Sequence, residues 1–263
     1  MRADLNISIV TPSFNQGGFI AEAIDSVRSQ EVKSQHIIVD NCSTDQTGSV
    51  LKAKGHLKIL VEQDLGQSDA LNKGFKMASG DIIGWLNADD RYLPGCFKAV
   101  SDFFTANPSC DILYGHYRLI DETGKVLSYR KELGFDIFML KYLHVLYIPS
   151  TTTFFRRRVF EEGNFLDIKY HYAMDYEFFL RLALKGYKFC HAPLFLADFR
   201  VHTASKSQKQ VMKQKQEMEQ ALLEQDHWLN QIHAPVRQVV RMGLMTAARS
   251  KRYILKFLTG AYG

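Results

Sequence analysis

The chain has 263 residues, 46% hydrophobic and 23% charged, which suits one α/β domain with an appendage. No apolar run is long enough to cross a bilayer, and Met1–Leu5 leads straight into a strand pattern, so no secretory signal is expected. The formal net charge of +5 sits in the tail: from His227 onward there are six Arg or Lys and no Asp or Glu, leaving 27 basic and 28 acidic residues before it.

Along the chain, short apolar runs alternate with helical patterns. Ile7–Val10, His36–Asp40, Lys58–Glu62 and Asp81–Leu86 read as strands. Gly18–Gln30, Ser43–Lys54 and Ser68–Ser79 read as the helices between them. Such alternation predicts a parallel sheet covered on both faces, with ligands beyond the carboxyl ends of the strands. Polar clusters follow each strand: Thr11–Asn15, Asp40–Asp45, Asp64–Asp69 and Asn87–Asp90. A helix then runs from Leu93 to Asn107, followed by a hairpin over Asp111–Arg130 and an aromatic stretch to Pro149. Ala173–Gly186 reads as a helix, Phe189–His202 as two short strands, and Lys206–Asn230 as a long polar helix.

The four cysteines, Cys42, Cys96, Cys110 and Cys190, form no CxxC pair and read as free thiols in a reducing compartment. The first strand–helix turn is "TPSFNQGGF", which lacks the GxGxxG of dinucleotide enzymes, and no GxxxxGK[ST] occurs. The turn also lacks the basic residues that a nucleotidyltransferase would set against a triphosphate. Paired carboxylates of a glycosidase are not suggested by any helix or strand pattern.

Five segments occur in order: "VTPSFNQGGFIAEAIDSVRSQ", "IIVDNCSTDQT", "GQSDALNKGFKMASGDIIGWLNADD", "MDYEFFLRLALKGY" and "FRVHTASKS". Together they resemble family 2 of the inverting glycosyltransferases, over roughly residues 5 to 207. The resemblance implies an α/β fold of the GT-A nucleotide-sugar-binding type, with a mostly parallel central sheet flanked by helices. Residues 1–205 would be the catalytic domain, with 1–108 its nucleotide-binding half and 109–205 its acceptor half. Residues 206–263 would be a helical, basic amphipathic segment.

Two adjacent carboxylates, Asp89 and Asp90, end the fourth strand. Strand alternation would set Asn87 and Asp89 on one side and Ala88 and Asp90 on the other. The resemblance places Asp89 at the family's DxD motif, as ligand of Mn²⁺ or Mg²⁺ held mainly by donor phosphates. Asn87 departs from that motif at its first position, and with Ala88 it would border the donor. Asp90 can instead cap the turn that follows.

Asp40 is an acceptor suited to the N3–H of uracil, and the resemblance puts Thr11, Pro12 and Phe14 beside the base. Asp69, near a helix start, reads equally as structure or as donor site. Asp175 opens a helix anchored by Phe178, Phe179, Leu182 and Ala183, where it is either an N-cap or, as the resemblance implies, the catalytic base. The family's usual acid before it is Met174 here. Arg200 suits diphosphate oxygens and His202 suits the metal, with Ser205 and Ser207 nearby.

In the tail, Arg237, Arg241, Arg249, Arg252 and Lys256 form one helical stripe and apolar residues another. It could lie on an anionic membrane surface, or pack on the domain with its basic face in water. No groove-reading module accompanies it, so no nucleic acid is expected. The implied activity is sugar transfer from a nucleotide donor, first a UDP-sugar, to a glycan or lipid-linked hydroxyl. Its place would be the cytoplasm or the inner membrane face. The alternatives are a sugar-nucleotide-binding or membrane scaffold, and a sugar nucleotidyltransferase.

Overall fold

The computed structural model describes residues 5–143, 145–202 and 211–261. Ser205, Ser207 and the expected domain boundary at 205/206 lie outside these residues.

Four parallel strands, β1 (Ile7–Ser13), β2 (Ser34–Asp40), β3 (Lys58–Val61) and β4 (Ile82–Trp85), alternate with α1 (Ile20–Arg28), α2 (Thr47–Lys52) and α3 (Gln67–Met77). Next come β5 (Arg91–Tyr92), α4 (Cys96–Ala106), the hairpin strands β6 (Ile112–Ile120) and β7 (Val126–Arg130), and α5 (Ile137–Tyr142). Then follow β8 (Phe154–Arg156), α6 (Arg158–Glu161), α7 (Met174–Leu184), β9 (Phe189–Arg200), α8 (Val211–Gln225) and α9 (Ala234–Leu258). The strands form one mixed sheet in the order β3-β2-β1-β4-β8-β6-β9-β5, with β7 paired to β6.

The apolar runs form strands because both faces of the sheet are covered. Val10, Ile37, Val39, Ile83 and Trp85 point into one core, against α3 and α7. Ile7, Ile9 and Ile82 point into the other, against α1 and α4. Neighbours in one strand thus enter different cores, as a period of two requires.

Two sequence expectations change. Residues 189–200 form one strand, not two. Its pairing with β6 shifts register between Tyr114 and His116, opposite the stretch that holds Pro193, so the ladder bulges around the missing N–H. The short strand β8, unreadable as a separate run, bridges β4 and β6 by antiparallel pairing and joins the two halves of the sheet.

The tail also differs from expectation. Part of its basic stripe turns inward: Arg241 pairs with Glu219 of α8, and the nearby Lys251, outside the stripe, pairs with Asp136. Arg252 and Lys256 act on Glu132, whose carboxyl burial nevertheless pushes up to about 7. Val239, Met242, Phe257 and Leu258 are exposed instead. No helix among the described residues is long and apolar enough to cross a membrane.

Helix α3 lies close on β1 because Gly74 has no side chain. A Cβ there would stand 2.2 Å from Val10 Cγ1. Gly74→Ala should therefore destabilise the fold by about 1–3 kcal/mol, despite the better helix propensity of Ala. Urea unfolding checks this; unchanged or raised stability would contradict the packing described.

Candidate active site

A cleft of about 560 Å³ opens beyond the carboxyl ends of β1, β2 and β4, where a sheet of this type binds ligands. Pro12, Phe14, Asn41 and Asp64 line one part of it. Asn87, Ala88, Asp89 and His202 line another, and Ile148–Ser150, His171, Tyr172 and Asp175 a third.

The two loops at the first part are tied together. Asn15 and Cys42 both adopt left-handed backbone, at φ 52° each. The Ser43 hydroxyl accepts the Asn15 N–H at 2.8 Å, and the Asn15 side chain accepts the Thr44 N–H at 2.9 Å. These bonds leave Phe14 more than half exposed in the cleft wall.

Asp40 lies deeper than expected. Its Oδ1 accepts the Ser43 hydroxyl at 2.6 Å and its Oδ2 the Ser43 N–H at 2.8 Å. Thr11 is fully buried and shares a hydrogen bond with His36 at 3.0 Å. Neither side chain lines the cleft; Asn41 and Asp64 stand there instead, joined by the Asp64 N–H donating to Asn41 Oδ1 at 3.0 Å. The polar cluster after the third strand was the signal for Asp64. Asp69 also stays outside the cleft. It accepts the Leu65 N–H at 3.1 Å and pairs with Lys73.

The Asp89–Asp90 pair is divided by a turn rather than by strand alternation. β4 ends at Trp85, and the Asp90 N–H donates to the Asn87 carbonyl at 3.2 Å. Asp90 points inward, accepting from Thr151 Oγ1 at 2.7 Å, from the Arg200 N–H at 2.8 Å and from Asn87 Nδ2 at 3.1 Å. Burial, and then the negative Asp89, hold its carboxyl well above the usual carboxylate range. Asn87 therefore sides with Asp90, and it also accepts from Gln67 and from the Trp85 indole.

Asp89 points the other way, into the cleft, with Oδ2 at 2.9 Å from His202 Nε2. Arg200 does not serve that cleft as a free cation. Its side chain is 0% exposed. Its Nε donates to the Asp89 carbonyl at 2.8 Å, its Nη1 to the Asp121 and Glu122 carbonyls, and its Nη2 to Glu22 at 2.7 Å. The diphosphate role expected for Arg200 gives way to one of holding the Asp89 backbone. The sequence offered no signal for Glu22, and Thr151, in a run that read as acceptor-pocket lining, instead holds Asp90.

The Asp89 carboxylate and the His202 imidazole fit a divalent cation by donor chemistry. Among the described residues no cluster of three or more His, Cys, Asp or Glu could hold a metal. Two protein donors facing an open cleft suit an ion whose remaining ligands are phosphate oxygens and water.

Asp175 is the second residue of α7, after the N-cap Ala173, so the N-cap alternative is not realised. Its Oδ1 accepts the Tyr176 N–H at 2.8 Å, and the residue lines the cleft. Burial pushes its carboxyl up to about 6, with a further rise from the charge of Glu217.

Comparison with known proteins agrees with this architecture. The fold matches that of Staphylococcus aureus TarS 1-349 in complex with UDP-GlcNAc, at a TM-score of 0.66 over 96% of this chain and 75% of that one, with 16% identity. It also matches the mannosyltransferase PcManGT of Pyrobaculum calidifontis in complex with GDP-Man and Mn²⁺, at a TM-score of 0.61 over 99% of this chain and 86% of that one, with 17% identity. The fold is thus of the GT-A glycosyltransferase class.

The family model "Glycosyl transferase family 2" matches residues 8–163, more than half of the chain. The chain belongs to glycosyltransferase family 2. An uncharacterized glycosyltransferase of Rickettsia typhi is 30% identical over 209 residues, 75% of this chain and 64% of that protein. A putative teichuronic acid biosynthesis glycosyltransferase of Bacillus subtilis is 28% identical over 128 residues, 46% of this chain and 50% of that protein. The chain spans less than two thirds of the length of several such relatives, for example 22% of one from Rickettsia conorii and 18% of one from Rickettsia bellii.

Removing the Asp90 carboxyl should orphan the Thr151 hydroxyl and the Arg200 N–H. Asp90→Ala is expected to lose about 1–3 kcal/mol of stability, and Asp90→Asn less. Thermal unfolding of both variants checks this; an Asp90→Ala variant as stable as the native chain would contradict it.

Proposed function

We propose that the protein is an inverting hexosyltransferase. It would move a sugar from a nucleoside-diphosphate donor to a hydroxyl of a glycan or lipid-linked acceptor. The observation that carries this reading is the presence, on one cleft, of an Asp89–His202 pair and an Asp175 of raised proton affinity.

The acceptor hydroxyl gives its proton to Asp175 as its oxygen attacks the anomeric carbon. The bond from that carbon to the diphosphate oxygen breaks, and the electron pair leaves with the diphosphate. One displacement inverts the anomeric centre. Pro12, Phe14, Asn41 and Asp64 form the wall for the base, with Asp40 fixing the loop that carries Asn41. Asp89 and His202 would hold Mn²⁺ or Mg²⁺. Such an ion, when bound, supplies positive charge beside the departing diphosphate.

A UDP-sugar is the first donor to test, supported by the UDP-GlcNAc in the TarS complex. The GDP-Man complex of the archaeal mannosyltransferase makes a GDP-sugar the competitor. The Bacillus relative's part in teichuronic acid biosynthesis supports a polysaccharide or cell-envelope acceptor. The same reading places the enzyme in the cytoplasm, peripheral at the inner membrane face where lipid-linked acceptors are held.

The test is release of nucleoside diphosphate from a panel of UDP-, GDP- and dTDP-sugars with Mn²⁺ and a mixed glycan acceptor pool. One donor should be turned over, and its product should show the inverted anomeric configuration by NMR. A retained configuration, or no turnover of any donor by folded protein, would overturn the reading. The base must be ionised, so kcat should fall as pH drops through about 6. Asp175→Asn should lower kcat by about 100-fold or more and abolish that acid limb. A native-like profile in Asp175→Asn would remove Asp175 from the role of base.

A further inference from the structure

Helix α7 begins with an N-cap residue, Ala173, that has no side-chain acceptor of its own. The first N–H groups of a helix nevertheless need partners, and so does the turn that leads into it. Here the acceptor comes from another helix. The Glu217 carboxylate of α8 accepts three consecutive backbone N–H groups, from His171 at 3.0 Å, Tyr172 at 2.7 Å and Ala173 at 2.8 Å. Asp175 accepts the Tyr176 N–H one step further on. Glu217 thus holds the turn that leads into α7, and Asp175 accepts within the helix's first turn.

Helix α8 is itself anchored on that turn and on α7. Glu224 accepts from Lys169 Nζ at 2.7 Å and from the Tyr170 hydroxyl at 2.8 Å. Gln225 donates to Glu177 at 3.1 Å. Met218, Ala221 and Leu222 are buried in the core that also contains α7. One turn before Glu217, Gln214 lines the cleft, as do His171 and Tyr172. A Ser at the N-cap would reach only N–H groups of the helix's own first turn, not those of His171–Ala173 that Glu217 holds. The cap in place instead ties the position of Asp175 to the docking of α8.

We propose that Glu217 is a positioning residue for sugar transfer: by clamping the His171–Ala173 turn it fixes where Asp175 meets the acceptor hydroxyl. This rests on Asp175 being the base. The negative charge of Glu217 also favours the protonated form of Asp175, after burial has done so more strongly. The other ionisable groups around the pair are His171 and Tyr172 of the turn, Lys213 over the Tyr172 ring, Tyr176, and Glu177 bound to Arg181.

The experiment compares Glu217→Gln, Glu217→Ala, Asp175→Asn and the control Glu219→Gln. Glu219 lies on the same helix and pairs with Arg241, away from the turn. Folding is checked by circular dichroism, and kcat, donor KM and the pH profile are measured with the donor identified by the panel above. Glu217→Ala should lower kcat by about 10- to 100-fold, with donor KM within about threefold of native, as a misplaced base would. Glu217→Gln keeps one acceptor oxygen and should recover part of kcat, with its acid limb moved to lower pH. Glu219→Gln should behave as the native chain.

Native kcat and pH profile in a folded Glu217→Gln variant, beside an inactive Asp175→Asn, would overturn the positioning role while leaving the base in place. An active Asp175→Asn would overturn the base reading instead, so the two failures are distinguishable. If Glu217→Ala does not fold, Glu217→Gln carries the test alone.

Discussion

The cleft depends on where Asp89 stands, and Arg200 sets that position. Its buried guanidinium and backbone N–H gather four distant pieces of chain: the Asp89–Asp90 turn, the hairpin residues Asp121 and Glu122, the start of α1 through Glu22, and the end of β9 that carries Arg200 itself. A buried guanidinium is costly to desolvate and is stable only when its donors are met. Here it is met by three backbone carbonyls and one carboxylate, an arrangement that leaves little freedom to the turn it holds. The neighbouring Asp198, itself fully buried, binds Arg91 and Arg118 together.

From this knot the division of the adjacent carboxylates follows. Asp90 is drawn inward, where Thr151, Asn87 and the Arg200 N–H satisfy it, and its raised proton affinity lowers the cost of two neighbouring anions. Asp89 is left at the surface of the cleft beside His202. The same logic operates at Asp175, the proposed base: burial raises its proton affinity, and a hydrogen bond at the start of α7 fixes its place. Charged groups fall into two sets in this protein, some locked away as structure and some left facing the cleft, and the hydrogen-bond partners decide which.

That division explains what was readable in the sequence. The alternation of apolar runs and amphipathic helices identified the parallel half of the sheet, because local periodicity reports which faces are buried. The helix that carries Asp175 was legible for the same reason. Depth was not legible. Asp40, Thr11, Asp69 and Arg200 each follow a strand or open a helix, as a ligand-binding residue would. Yet Ser43, His36, Leu65 and Asp89 engage them within the protein. Partners such as Glu22, Thr151 and Glu217 lie far along the chain from the residues they hold, and no local pattern announces such contacts. The tail misled in a similar way: Glu219 of α8 and Glu132 of the domain face part of the basic stripe, while Val236, Ile254 and Leu258 of the apolar stripe are exposed.

The measurement that tests the account most directly is calorimetric binding of UDP, GDP and dTDP, each with and without Mn²⁺, to the native chain and to Asp89→Ala. The account predicts that one diphosphate binds with Mn²⁺ and that the Asp89→Ala chain, still folded, loses that metal-dependent binding. Binding that is indifferent to Mn²⁺ and to Asp89, or no binding of any nucleotide by folded protein, would contradict it.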